Sequence, residues 1–180
     1  MTEQPMADSI EALKRAIRDV PDFPKPGIVF KDITTLLRDG SGLKRVGDLL
    51  TGLCSHVHVD AIVAVESRGF ILGGLLADRL GVGFVPVRKL GKLPWRSRRV
   101  TYDLEYGQDS LEIHEDALRA GEKALIVDDV LATGGTAQAA ARLVEGLGAE
   151  VAALAFLVEL TFLKGRARLS SYDVRSLIRY

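Results

Sequence analysis

Cysteine is almost absent. Cys54 is the one thiol in 180 residues, so an internal disulfide is excluded and a reducing compartment fits. Net charge is absent too. Twenty-four Lys and Arg face twenty-four Asp and Glu, which argues against a general nucleic-acid binder. Long apolar runs are missing. The longest, such as Val151–Val158, have eight residues, well short of the ~18 of a membrane span. The opening Met-Thr-Glu-Gln-Pro shows no basic stretch before an apolar core, so a cytoplasmic protein with no membrane partner is expected. Charged residues at 27% and hydrophobic ones at 47% exclude a disordered chain. No internal repeat, low-complexity tract or linker is visible, and the length fits a single domain over 1–180. Glycine is the one excess, with eighteen.

The apolar pattern alternates between two periods. Asp8 with Glu11 resembles a capping box, and Ile10, Leu13, Ile17 and Val20 follow at helical spacing. This predicts a helix that stops before Pro21. Pro21–Gly27 holds three prolines and reads as a turn-rich loop, with Ile28–Lys31 a short strand. Ser41 is placed to cap a helix whose inner face is Leu43, Val46, Leu50 and Leu53. Ala61–Val65 and Val151–Val158 are continuous apolar runs, as expected of strands covered on both faces, and Lys123–Val127 reads as another buried strand. Gly83–Arg88 and Tyr172–Ile178 are further strands, and Thr101–Tyr106 pairs with Ser110–His114 across Gly107. Helices ended by Gly81 and Gly148 lie between them. Strands alternating with helices predict an α/β fold with a central, mostly parallel sheet flanked by helices. Ligands of such sheets bind at the carboxyl ends of the strands.

Two strand-to-helix turns carry chemistry. In Leu125–Thr136 a buried strand ends in Asp128 and Asp129. Two apolar residues, the loop Ala132-Thr133-Gly134-Gly135-Thr136 and an alanine-rich helix follow. Glycines let backbone N–H groups approach an anion, the threonines add hydroxyls, and a helix N-terminus favours negative charge. The loop lacks the Walker ending and the dinucleotide fingerprint. The alternative is a tight turn with a surface acid pair. Consecutive strand residues point to opposite faces, so both acids reach one ligand only if the chain already turns there. The second turn is Glu66-Ser67-Arg68-Gly69-Phe70, where Arg68 offers a planar fork to a phosphate. Alone it also reads as a capped helix with a solvated Arg.

A third stretch, Arg88–Arg99, holds six cations and no acid. It reads as a solvated loop, a nucleic-acid patch or a cationic cover over a pyrophosphate. A fourth, Phe23–Ile33, is a rigid loop in which Phe30 either stacks on a flat ligand or fills the core.

Together these segments resemble the type I phosphoribosyltransferases, in their adenine-specific branch. The resemblance implies a type I phosphoribosyltransferase fold with a small N-terminal hood, 1–35, and a flexible catalytic loop, 88–107. It implies transfer of the phosphoribosyl group of phosphoribosyl pyrophosphate to adenine, giving AMP and pyrophosphate in purine salvage. On it, Asp128 and Asp129 bind the ribose hydroxyls, and Ala132, Thr133, Gly134, Gly135 and Thr136 hold the 5-phosphate. Glu66, Ser67, Arg68, Arg88 and Lys89 belong to the pyrophosphate site. Backbone groups at Val29 and Lys31 read the edge of adenine, and Phe30 stacks on it. Glu105, Tyr102 and Arg68 are the catalytic candidates, with Glu105 the acceptor of the adenine N9 proton. Mg²⁺ is expected, carried mainly by substrate oxygens and waters with no protein cage. A homodimer that binds neither nucleic acid nor membrane is implied. A sister transferase for hypoxanthine, guanine, xanthine or orotate is one alternative; the hood and Tyr-Asp-Leu-Glu-Tyr-Gly argue against it. A non-catalytic sensor is the other; a nucleic-acid-binding regulator should show a basic face or an added domain.

His56 and His58 alternate, and a solvated pair is expected rather than a metal site. Cys54 is expected to be a buried small hydrophobe.

Overall fold

The structure is a computed structural model that describes residues 3–23, 25–103 and 107–180. The chain divides into two compact units, 1–49 and 50–180.

In the first unit, helix α1 (Glu3–Ala16) precedes a two-stranded antiparallel ribbon of β1 (Arg18–Pro21) and β2 (Val29–Asp32). Asp8 lies inside α1 rather than at its start, so the expected capping box is not a cap. The helix also ends earlier than expected, and Val20 belongs to β1, paired with Phe30. A helical apolar spacing that runs into a strand cannot mark the boundary by itself. Asp32 closes β2. Its Oδ1 accepts from the Thr34 N–H at 2.9 Å and hydroxyl at 2.6 Å. These bonds and Arg18 outweigh desolvation and hold the carboxyl at about 2. The short helix α2 (Thr34–Arg38) follows, and α3 (Gly40–Cys54) begins at the next turn. Asp39, not Ser41, makes the capping bonds there. Its Oδ2 accepts from the Gly42 N–H at 2.9 Å and the Ser41 hydroxyl at 2.7 Å. α3 runs on past residue 49 into the second unit, and its Val46, Leu50 and Cys54 are buried.

The second unit holds a seven-stranded sheet. Its strands are β3 (Ala61–Val65), β4 (Gly83–Lys89), β5 (Ser97–Asp103), β6 (Gln108–His114), β7 (Lys123–Leu131), β8 (Glu150–Glu159) and β9 (Val174–Arg179). The order is β5-β6-β4-β3-β7-β8-β9. β4, β3, β7, β8 and β9 are parallel, and the β5–β6 hairpin is added antiparallel beside β4. This is the expected α/β architecture. Every residue of β3 is buried, because helices cover both faces of a parallel sheet. Fully burying a large apolar side chain such as Ile126 or Phe156 stabilises by roughly 1.5–3 kcal/mol each.

Helix α4 (Arg68–Leu80) ends on Gly81 at φ 68°, whose N–H bonds back into the last turn. Gly73 of α4 is required by packing, since a Cβ there would sit 2.5 Å from that of Ala64. Helix α5 (Gly135–Gly146) buries its alanine face. Arg98 of β5 donates to the Gly146 carbonyl at the C-terminal end of α5, where a cation meets the negative end of the helix dipole. A short helix α6 (Gly165–Arg168) lies between β8 and β9. Cys54 is buried as expected, and desolvation pushes its thiol up to about 11.

Candidate functional site

β3 and β7 are hydrogen-bonded neighbours at the middle of the sheet, and both of the turns singled out above leave their carboxyl ends. Adjacent strands lie about 4.8 Å apart, so the two turns are side by side.

β7 does not stop before its acids. It stays paired with β8 through Leu131, with Asp128 opposite Phe156 and Val130 opposite Val158. The chain therefore turns later than expected. Asp129 is buried and its carboxylate accepts from Arg68 Nε of the neighbouring turn. Asp128 Oδ1 accepts from the Asp129 N–H at 2.9 Å. Burial and the charge of Asp129 push the Asp128 carboxyl well above the usual range. Gly69 brings the first turn of α4 onto the end of β7. A side chain there would put its Cβ 2.9 Å from Asp128 Oδ1 and 3.0 Å from the Val127 carbonyl oxygen. Thus Arg68 meets one acid and Gly69 leaves room beside the other.

The loop after β7 is compact. Gly134 has φ 83°, a left-handed conformation that favours glycine, and it precedes the first residue of α5. No side chain caps α5, and the first N–H groups of a helix have no partner within it. Thr136 donates through its hydroxyl to Tyr102 of β5 at 3.3 Å. Burial pushes the Tyr102 phenol above its usual range, and its hydroxyl also reaches Asp109 at 3.5 Å. The hairpin and the loop after β7 are therefore in contact.

On the other flank, Glu66 gathers the cations of the basic stretch. Lys92 Nζ donates to Oε1 at 2.6 Å, the Lys89 N–H to Oε2 at 3.1 Å, and Arg88 Nε lies 3.5 Å from Oε2. Arg88 also donates to the Lys92 carbonyl at 2.8 Å, while Glu112 Oε2 accepts from the Gly91 N–H at 2.9 Å. Lys89 Nζ lies 3.5 Å from Asp109. Ser67 precedes α4 but makes no capping bond, and the Glu66–Ser67 peptide is cis. Burial alone would raise the Glu66 carboxyl. Hydrogen bonds from Lys92, the Lys89 N–H and Arg88 outweigh it and hold the group at about 2, below the ordinary 4.5. A carboxylate lowered in the fold stabilises it above the unfolded value, and that contribution drains as pH falls from about 4.5 towards about 2. The melting temperatures of the wild type and Glu66→Gln should therefore differ at pH 6 and converge towards pH 2. A gap that stays constant over a calorimetric pH series would contradict this.

Sequence reasoning placed the turns of Glu66–Phe70 and Asp128–Thr136 at one sheet edge, and the resemblance added Arg88, Lys89 and Tyr102; in the fold Arg68 meets Asp129, Glu66 meets Arg88 and the Lys89 N–H, and Tyr102 meets Thr136. Two participants were missed. Lys92 was visible in the basic stretch, but its acid partner lies 26 residues upstream. Gly165 touches the loop after β7: a Cβ on it would lie 2.1 Å from the Ala132 carbonyl oxygen. Its only trace in sequence is the Lys164-Gly165 turn after a long strand. Glu105 lies outside the described residues. Val29, Phe30 and Lys31 lie on β2 of the first unit. There Phe30 meets Phe23 edge-on with centroids 5.3 Å apart, and Lys31 Nζ pairs with Asp19 at 2.6 Å.

His58 pairs with Asp60 at 3.4 Å. His56 and His58 line a shallow cleft of about 270 Å³ near the starts of β7 and β8, with Lys123, Glu150, Asp173 and Arg175. This is the opposite end of the strands from the acids. Among the described residues no three His, Cys, Asp or Glu side chains form a metal-holding group, and no helix is long and apolar enough to cross a membrane.

A phosphoribosyl transferase domain model matches residues 32–178. Adenine phosphoribosyltransferase of Thermotoga neapolitana is 58% identical over 168 residues, spanning 93% of this chain and 99% of that one. The enzyme of that name from Acidobacterium capsulatum is 57% identical, spanning 94% of each chain. Among solved structures, adenine phosphoribosyltransferase of Thermoanaerobacter pseudethanolicus superposes with a TM-score of 0.93 at 53% identity, over 95% of this chain and 99% of that one. The Saccharomyces cerevisiae enzyme, complexed with adenine and an imino-altritol bisphosphate, gives 0.89 at 44% identity, with coverage of 95% and 99%. With two strand-end turns locked together by Arg68 and Asp129, a fold that superposes on solved structures and relatives over almost its full length, the chain belongs to the phosphoribosyltransferase family, among the adenine phosphoribosyltransferases.

Proposed function

We propose that the chain transfers the phosphoribosyl group of phosphoribosyl pyrophosphate to adenine, forming AMP and pyrophosphate. The observation that supports this most is the adjacency of two anion-type turns at the ends of β3 and β7. A sugar with phosphate at one end and pyrophosphate at the other needs two such turns, held a fixed distance apart. In this reading Ala132–Thr136 and the first N–H groups of α5 receive the 5-phosphate. Asp128 and Asp129 accept from the ribose hydroxyls. Those donors favour the ionised form of Asp128, offsetting the burial that disfavours it in the free protein. Ser67, Arg68, Arg88 and Lys89 take the pyrophosphate. Glu66, already bonded to Lys92 and the Lys89 N–H, orients these cations rather than meeting an anion directly. Tyr102 steadies the loop through Thr136.

Mg²⁺ fits as a substrate-borne ion. Asp129 is engaged by Arg68, so Asp128 is the carboxylate left to offer a hard oxygen donor, with substrate oxygens and waters supplying the rest. When bound, the ion screens the charge that develops on the departing pyrophosphate. The hood over 1–35 reads adenine through backbone groups at Val29 and Lys31 and stacks Phe30 on the ring. The segment over 88–107, of which Ser97–Asp103 is built into the sheet as β5, covers the site within one catalytic domain, and the turn between β4 and β5 is the part that closes. The enzyme works as a cytoplasmic homodimer.

A radiolabelled base panel tests the substrate. Adenine should be converted in the presence of phosphoribosyl pyrophosphate and Mg²⁺, and hypoxanthine and guanine poorly. These bases present a carbonyl where adenine has an amino group, so a backbone acceptor would face another acceptor, a mismatch that costs a specific site heavily. Equal turnover of hypoxanthine would sink the assignment.

A further inference from the structure

The segment after β8 is built against the loop after β7. Gly134 and Gly165 meet backbone to backbone: a Cβ on Gly134 would lie 2.6 Å from the Gly165 carbonyl oxygen, and one on Gly165 would lie 3.0 Å from the Gly134 nitrogen. Gln138 of α5 reaches the Arg168 carbonyl at 3.4 Å. α6 therefore forms one wall of the loop.

The charged anchor of α6 is a buried carboxylate. Glu159 is the last residue of β8, pairs in register with Leu131 at the end of β7, and is only 4% exposed. Arg166 of α6 donates to it in a fork, Nε to Oε1 at 3.0 Å and Nη2 to Oε2 at 2.7 Å. Arg166 Nη1 donates to the Val174 carbonyl at 2.6 Å. The Ser176 hydroxyl donates to Glu159 as well, and Arg179 Nε lies 3.4 Å away. Forked Arg–carboxylate pairs fix geometry as well as contributing energy.

We infer that Glu159 and Arg166 are positioning residues for phosphoribosyl pyrophosphate: they hold Gly165 against Ala132–Gly134 and so preset the loop to the shape that receives the 5-phosphate. This rests on the reading of 132–136 as the 5-phosphate loop. A glycine-rich loop has many shapes, and one held in its bound shape binds with a smaller ordering cost. Without the clamp, that cost falls on phosphoribosyl pyrophosphate and not on adenine.

The test is steady-state kinetics with each substrate varied, together with thermal melts, on Arg166→Met, Arg166→Lys, Glu159→Gln, Arg175→Met and Asp128→Asn. Arg175→Met is the control. It breaks an ion pair with Asp173 and a bond to the Leu53 carbonyl near the start of β9, the far end from the loop. Arg166→Met should raise KM for phosphoribosyl pyrophosphate about tenfold, about 1.4 kcal/mol, with KM for adenine and kcat within twofold. Arg166→Lys, which keeps the charge without the fork, and Glu159→Gln, which keeps the shape without the charge, should fall between it and the wild type. Arg175→Met should lower the melting temperature and leave both KM values alone. Calorimetry with ribose 5-phosphate should show the same order of affinities. If Arg166→Met and Glu159→Gln melt early but keep the wild-type KM, the clamp is structural only and the inference falls. It falls equally if Arg175→Met raises KM as much as Arg166→Met. Asp128→Asn separates the two levels. Weakened affinity in Asp128→Asn with none in the Arg166 variants overturns the clamp alone, whereas no change in either, nor in Gly134→Val, overturns the reading of this turn as the phosphoribosyl pyrophosphate site itself.

Discussion

Gly134→Val should lose phosphoribosyl pyrophosphate binding by about 100-fold or more, about 2.7 kcal/mol, and should melt several degrees early. From sequence, the expected damage is a branched side chain standing where the phosphate belongs. The structure gives a different cause. A Cβ at this position points at the Gly165 carbonyl oxygen, 2.6 Å away, and lies 3.4 Å from the Arg168 side chain. The backbone at φ 83° costs about 1–2 kcal/mol for a residue with a Cβ. The loop and α6 must part before valine fits. Each 1 kcal/mol lowers the melting temperature of a domain this size by about 2–4 °C. Titration calorimetry and a thermal melt therefore decide between causes. Lost affinity with an unchanged melt would favour a side chain in the phosphate's place. Lost affinity with an early melt supports the steric conflict.

Glu105→Gln should slow the chemical step by about 10²–10⁴, the usual worth of general-base assistance, with little change in adenine affinity. Adenine must shed its N9 proton as the bond to ribose forms, and glutamine keeps the shape of glutamate without its basicity. In sequence the position follows β5, outside the described residues, and β5 carries Tyr102 to the hydroxyl of Thr136. A solvent-facing hairpin glutamate predicts near-normal turnover instead. Rapid-quench measurement of AMP formation in a single turnover separates the two. Undiminished chemistry would pass the base role to water, because Asp129 is already bonded to Arg68.

The buried strands were legible because they are covered on both faces. Ala61–Val65 and Val151–Val158 have no polar residue to mark an outside, and such runs leave few alternatives. The stop of α4 was legible because Gly81 takes the left-handed conformation that glycine favours. Local signals failed where two residues compete for one role. Asp39 and Ser41 are both good caps, and only the folded turn decides that the aspartate accepts while the serine donates to it. The acids were legible as a pair at a strand end, but β7 runs on to Leu131, since pairing with β8 outlasts the apolar run. The clamp under the loop was not legible. Glu159 closes an apolar strand and reads as the first solvated residue after it, whereas its partners lie 7 and 17 residues further on. Charge pairs at such spacing carry no period.

The basic stretch Ser97–Arg99 gains another sense from its place in the sheet. β5 is one rim of the seven strands and β9 is the other. A rim strand is a ready template for a second chain, and proteins blunt it with charge. β5 carries Arg98 and Arg99, and β9 carries Arg175 and Arg179. Two sheets meeting rim to rim would bring these arginines towards one another. Arg98, Arg175 and Arg179, which already bind nearby carbonyls and carboxylates, thus also stand against a second sheet adding to either margin.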